Sequence, residues 1–375
     1  MTGQGGLLAA QVDQELADLR QVSKTLSSVV TAHGLSRAVL DRFALLISRQ
    51  HAELERIKGA ADGWATLERL RPSTLEIERE ALAFTQGVLL RESGLDDGIG
   101  EVAERLLEHL ARQTGLDRGV LFSLAESQFI SHTVGMVRGR FPDVGVWNLP
   151  VLAHELGHHV AQVLRHSDPQ WRAETVPVLD YLRDEADVAE SRDEELAYLH
   201  ELFADVYATY VMGPAYPYCF MTLAARPDRV AAPSRTHPSW SRRVWTIEAA
   251  FCALGEGHDT AAAGYRALVA EIRKLAGEAA DPLPPEGREL AAMQARAMVQ
   301  LLAEHALPQA RYGIPGRMRG VPVDAREPVE LPDPATTVVD VVNAAWRWRM
   351  RRDRENWLAD RVSRHALLLC ALVKE

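Results

Sequence analysis

Asn148-Leu-Pro-Val-Leu-Ala-His-Glu-Leu-Gly-His-His159 decides how this chain is read. Pro150 suits a first helical turn, where no backbone donor is missed, and Asn148 or Leu149 can begin the helix. On such a helix His154 and His158 stand four residues apart, so both imidazoles project from one face at a spacing that can share a metal ion. Glu155, one residue on, is badly placed as a third ligand. It is well placed to take a proton from a water on the metal's open side. Gly157 leaves room for a second backbone to come close. The pattern is HExxH, and it makes His154 and His158 candidate zinc ligands and Glu155 a candidate general base.

A third ligand is sought on another helix. In the stretch 196–212, Leu196, Leu199, Phe203, Tyr207 and Tyr210 step by three, four, four and three and mark a core-facing stripe. Ala197, Glu201, Ala204, Asp205 and Ala208 form the neighbouring stripe, whose small residues let this helix press against a partner. A carboxylate among alanines suits a ligand reaching across, so Glu201 is the expected third ligand. Asp205, one turn on, is placed to accept the second ring N–H of a ligating histidine. Ala161 and Leu164 stand where a metzincin needs Gly and His, which excludes that architecture. His159 points about 100° away from His158 around the helix, His166 lies two turns further on, and Glu194 and Glu195 require a different helix register.

Working outward, residues 7–58 read as two long helices broken at Thr31-Ala-His-Gly34, with Leu40, Phe43, Ile47, Leu54 and Ile57 close to a heptad seam. This hairpin is either a packed bundle or a coiled-coil arm for self-association or partner capture. Residues 59–73 read as a connection, and 74–92 and 99–114 as helices. Gly119–Phe122 and Phe129–Val137 are the strands. Beyond the metal-binding motif, helices are expected at 196–212, 238–255, 259–277 and 286–306. A Pro- and Gly-rich stretch, 308–334, follows, then two final helices. The domain reading is 1–115 helical, 116–280 catalytic and 281–375 helical.

Forty-two Lys and Arg against 52 Asp and Glu give a net charge of −10, which disfavours nucleic acid and anionic membranes as partners. Cys219, Cys252 and Cys370 form no CxxC pair, and reduced thiols are expected. The N-terminus has no basic, apolar leader and no apolar run reaches about 20 residues, so a cytoplasmic protein without membrane spans is expected. The cluster Trp346-Arg-Trp-Arg-Met-Arg-Arg-Asp-Arg354 either packs along a helix or offers a platform for single-stranded bases.

These residues resemble the gluzincin zinc metallopeptidases, which pair HExxH with a Glu on a second helix. Glu201-Leu-Phe-Ala-Asp-Val-Tyr-Ala-Thr-Tyr-Val-Met-Gly-Pro214 looks like the ExxAD signature of the HtpX and CAAX-prenyl-protease group. It is also similar to the Glu-helix of the soluble ImmA and IrrE regulatory proteases. Thr236-His-Pro-Ser-Trp-Ser-Arg-Arg-Val244 resembles the HP…R segment that follows ExxAD in the HtpX group. The three motifs span 129–244. The membrane substrates of the HtpX group do not carry over, since this chain has no membrane span, and ImmA-like proteins lack its helical N-terminus. The resemblance implies a small sheet beside the active helix, with an edge strand that lines up extended substrate; Phe129–Val137 is the expected strand. His237 either ends a loop or stabilises the oxyanion, and Arg242 or Arg243 pairs with Asp205 or with substrate.

The expected fold is thus mainly α with a small β-sheet, a gluzincin-like core flanked by helical regions. The expected function is hydrolysis of peptide bonds in a protein or peptide substrate with Zn2+ as cofactor, in selective or regulatory cleavage. The alternative is a helical scaffold with a structural or catalytically idle zinc.

Overall fold

The computed structural model describes residues 3–32, 37–58, 60, 62–116, 121–125, 129–131, 136–140, 145–163, 165–166, 176–177, 193–224, 233–254, 270, 283–313, 321–323, 326, 329–330, 333–351 and 358–373. The chain is mainly helical with a little sheet. It divides into two compact units, one of Met1–Gly100 with Leu121–Pro142 and one of Glu101–Val120 with Asp143–Glu375. Among the described residues no helix is long and apolar enough to cross a membrane.

In the first unit α1 (Gly3–Ala32), α2 (Arg37–Ile57) and α3 (Gly63–Glu92) pack on one another. Their shared core takes Leu16, Leu19 and Leu26 from α1, Phe43, Ile47 and Leu54 from α2, and Leu67, Ile77 and Phe84 from α3. Leu40 is only partly buried. The gap in the α2 seam between Ile47 and Leu54 is filled by buried Gln50. Its amide donates to Leu70 O at 3.0 Å and Thr74 Oγ1 at 2.8 Å, so the polar group is satisfied. The α1–α2 break at 33–36 lies outside the described residues.

Two expectations are corrected here. Residues 63–73 are helix, not connection: α3 runs through Pro72. An internal Pro costs about 3 kcal/mol. Leu67, Thr74, Ile77, Ala81 and Phe84 recur at helical spacing on both sides of it and their burial offsets that cost. Phe129–Val137 is not one strand but the end of a small sheet in which β1 (Leu121–Ala125) pairs parallel to β3 (Met136–Arg140), and β3 pairs antiparallel to β2 (Phe129–Ser131). β2 is an edge of this sheet and β3 its centre. The sheet belongs to the unit of the N-terminal helices, whereas the HExxH helix belongs to the other.

In the second unit α4 (Ile99–Gln113) leads in, and the sequence turns helical again at α5 (Leu149–Val163), with Pro150 in its first turn as expected. β4 (Arg165–His166) pairs with β5 (Val176–Pro177). At the centre is α6 (Asp193–Met212), continued after a turn by α7 (Ala215–Cys219). Every residue from Glu201 to Met221 is buried. A helix covered on all faces must be apolar or internally paired, and this one is both. It packs against α5, α8 (Trp240–Ala253) and α9 (Pro285–Gln300). α10 (Val338–Arg349) and α11 (Ala359–Leu372) close the unit. The described part of 281–375 therefore shares a unit with the HExxH helix, and the helix expected over 259–277 falls almost wholly outside the described residues.

The α5–α6 approach is set by one missing side chain. A Cβ on Gly157 would lie 2.9 Å from Ala204 Cα and 3.2 Å from Ala204 O, so both Gly157 and the alanine stripe are needed for it. Gly157→Ala is expected to destabilise by about 1–3 kcal/mol, because forcing the helices apart outweighs the improved helix propensity. Thermal unfolding checks this; a variant more stable than wild type shows that the helices part freely.

The Trp346 cluster packs. Trp346 is fully buried and meets Trp147 edge-on with centroids 5.6 Å apart, and Arg349 lies over both rings. Residues 352–354 lie outside the described residues.

Candidate metal centre

His154 and His158 leave α5 on the face that meets α6, as their spacing of four requires. Glu201 leaves α6 toward them. His154 Nε2 and His158 Nε2 are 3.2 Å apart, His154 Nε2 is 3.5 Å from Glu201 Oε2, and His158 Nε2 is 3.5 Å from Glu201 Oε1. Ligands held about 2.0–2.2 Å from a tetrahedral ion lie roughly 3.3–3.6 Å from each other. The three side chains form a group able to hold a metal ion. Glu201 Oε2 is buried with no hydrogen-bond partner. The His154 ring at 3.5 Å and Arg243 at 3.8 Å offset its charge without a hydrogen bond, so the oxygen remains open to an ion.

The carboxylate of Asp205, wholly buried, lies with Oδ1 3.1 Å from His154 Nδ1. It is the ring's second nitrogen that faces Asp205, which leaves Nε2 to face Glu201. Ser239 caps α8 by accepting from Arg242 N, and one turn later Arg243 reaches Asp205 with Nε to Oδ2 at 2.8 Å and Nη2 to Oδ1 at 2.6 Å. Of the two arginines singled out in the sequence, then, Arg243 meets Asp205. Arg242 instead lies 3.4 Å from Glu195, the residue considered as an alternative ligand. His159 does not join the donor group.

His237 stands at the exposed edge, held by Ser234 and Thr236, with Nε2 3.4 Å from Glu201 Oε1. It too lies outside the donor group. Two neighbours carry no motif. His200 donates from Nε2 to His158 O at 2.9 Å and meets the His158 ring edge-on. Tyr216, from α7, donates to Asp205 Oδ1 and lies 3.1 Å from His154 Nδ1. His200 precedes Glu201 on α6 and Tyr216 follows a Gly213-Pro214 pair, a turn signal, but neither indicates where the side chain goes.

The electrostatics follow from burial and pairing. Burial disfavours the charged ring of His154, but Asp205 and Glu201 outweigh it and raise its pKa to about 9. Burial and the charge on His154 push His158 down to about 2. Burial also works against Glu201 ionising, yet attraction to His154 and Arg243 holds it at about 2. Burial raises the Glu155 carboxyl. Asp205 stays well below the usual carboxylate range: burial opposes its charge, and Arg243 prevails. The His154 ring thus carries a proton on the side that faces Glu201, and a metal ion held by this group would have to displace it.

Asp205→Ala leaves the partly buried Arg243 without its bidentate partner and with only the more distant Glu201, 3.8 Å away, to meet its charge. It is expected to cost about 3–5 kcal/mol. Urea unfolding of the metal-free protein measures this; a loss below about 1 kcal/mol shows that the pair adds little.

No known protein family, curated protein or solved structure matches the chain.

Proposed function

We propose that the chain is a zinc metallopeptidase with a gluzincin-like core, in which His154, His158 and Glu201 hold the ion and Glu155 is the general base. One observation carries the reading: two imidazole nitrogens and a buried carboxylate oxygen that accepts no hydrogen bond converge between α5 and α6, beside an acid whose proton affinity is raised. Zinc, when bound, supplies a Lewis acid that polarises a carbonyl and lowers the pKa of water from about 15.7 towards about 7.

The chain's own residues do the rest. Glu155 accepts a proton from the attacking water at its carboxylate and passes it to the nitrogen of the leaving amine, and its raised affinity suits both transfers. Asp205 accepts the N–H at Nδ1 of His154 and so fixes the tautomer that offers Nε2. Arg243 keeps Asp205 ionised. His237, at the open edge, donates to the carbonyl oxygen as negative charge grows there. The substrate is a peptide segment of a protein, cleaved selectively in the cytoplasm, and the N-terminal helices recruit it or a partner.

Metal analysis tests the reading. Purified wild type is expected to carry one zinc per chain and His154→Ala none. Wild type without zinc, or a His154→Ala variant loaded like wild type, overturns it.

A further inference from the structure

The turn after α6 delivers a residue that belongs to neither metal-binding motif. Gly213 has φ +58°, a region L side chains rarely adopt, and the ring of Tyr312 fills the place where its side chain would stand. The turn is also pinned from α10. Asn343 donates from Nδ2 to Met212 O at 2.8 Å and accepts at Oδ1 from Ala215 N at 2.9 Å. With the turn held on both sides, α7 brings Tyr216 back onto α6 beside Asp205. Its ring lies within 5° of parallel to the His154 imidazole, with centroids 5.9 Å apart.

We infer that Tyr216 is a positioning residue of the metal centre: its hydroxyl and Asp205 Oδ1 together form the seat for the N–H at His154 Nδ1, which turns Nε2 toward the ion. The inference rests on the metal centre proposed above. A count of donors and acceptors carries it further. Asp205 Oδ1 also accepts from Arg243 Nη2 at 2.6 Å and from the hydroxyl of Tyr216, so the imidazole N–H shares that oxygen with two other donors. The phenol has one proton and gives it to Asp205. Its oxygen keeps lone pairs, and one of them faces His154 Nδ1 at 3.1 Å. Without that hydroxyl the imidazole N–H keeps one acceptor, Asp205 Oδ1, and loses the second oxygen that fixes the direction of the ring.

The experiment compares wild type with Tyr216→Phe, which keeps the ring and removes only the hydroxyl. Zn2+ affinity is measured by competition with a chromophoric chelator, alongside the visible spectrum of the Co2+-loaded protein and the melting temperature of the metal-free protein. Tyr216→Phe is expected to bind Zn2+ about 10- to 100-fold more weakly and to shift the cobalt bands. A melting temperature near that of wild type would separate this from a packing role. Wild-type affinity and an unchanged cobalt spectrum in the variant overturn the inference and leave the metal centre standing. Wild type that binds neither ion removes the centre and the inference together, and is recognised from wild type alone. Should the variant not fold, a crystal structure of the zinc-loaded wild type decides: a Tyr216 hydroxyl within hydrogen-bond reach of both Asp205 and His154 supports the inference, and one beyond reach of either overturns it.

Discussion

Glu155→Gln is expected to fold and bind zinc like wild type while losing about 10²- to 10⁴-fold of its hydrolytic rate, the contribution usual for a general base. Gln keeps the size of the side chain and a carbonyl acceptor but takes up no proton at neutral pH. Glu155 lies outside the donor group, so metal and chemistry are separated by this one change. The substrate need not be known: a strain carrying the variant at normal abundance is compared with a deletion strain. Behaviour like the deletion marks catalysis. Behaviour like wild type wherever the deletion fails marks a scaffold whose zinc is idle.

Glu201→Ala is expected to abolish stable zinc binding, a larger effect on the metal than any change in the residues around it. Two imidazoles four residues apart on one helix leave the ion half-coordinated, and the third protein donor comes from α6. The substitution also removes a buried anion that lies 3.5 Å from His154 and 3.8 Å from Arg243. Losing it leaves positive charge inside the unit, so the metal-free protein is expected to be less stable as well. Zinc content after dialysis against a weak chelator gives the answer. Full occupancy in the variant would move the third ligand elsewhere.

Much of this centre was legible because it lies on helices. Once α5 and α6 are assigned, the period of 3.6 residues places His154 beside His158, and Glu201 beside Asp205, and Gly157 opposite an alanine stripe tells which faces meet. Arg243 was one of two arginines the sequence could not choose between; the cap at Ser239 sets the rotation of α8 and thereby the choice. Tyr216 escaped for a different reason. Its approach depends on a turn fixed by Asn343, which stands 128 residues from Ala215, and no local pattern encodes a bond of that span. The same limit explains α3, where the rule that Pro ends a helix lost to the buried stripe on both sides of Pro72. It also explains Phe129–Val137, whose Val, Ile and Phe content signals strand without signalling where the chain doubles back.

The clasp between α10 and the turn at Gly213 bears on where this chain can be cut. A fragment ending at 280, where composition suggests a border, would strip the Met212 carbonyl and the Ala215 N–H of Asn343 and the Tyr210 carbonyl of the Tyr312 N–H. Each is a backbone group in the interior of the unit, and leaving one unmet costs about 1–3 kcal/mol. Those losses would fall five to ten residues after Asp205. The smallest piece that keeps the donor group in shape therefore extends past Asn343, and trimming from the C-terminal side acts on that group without touching one of its residues.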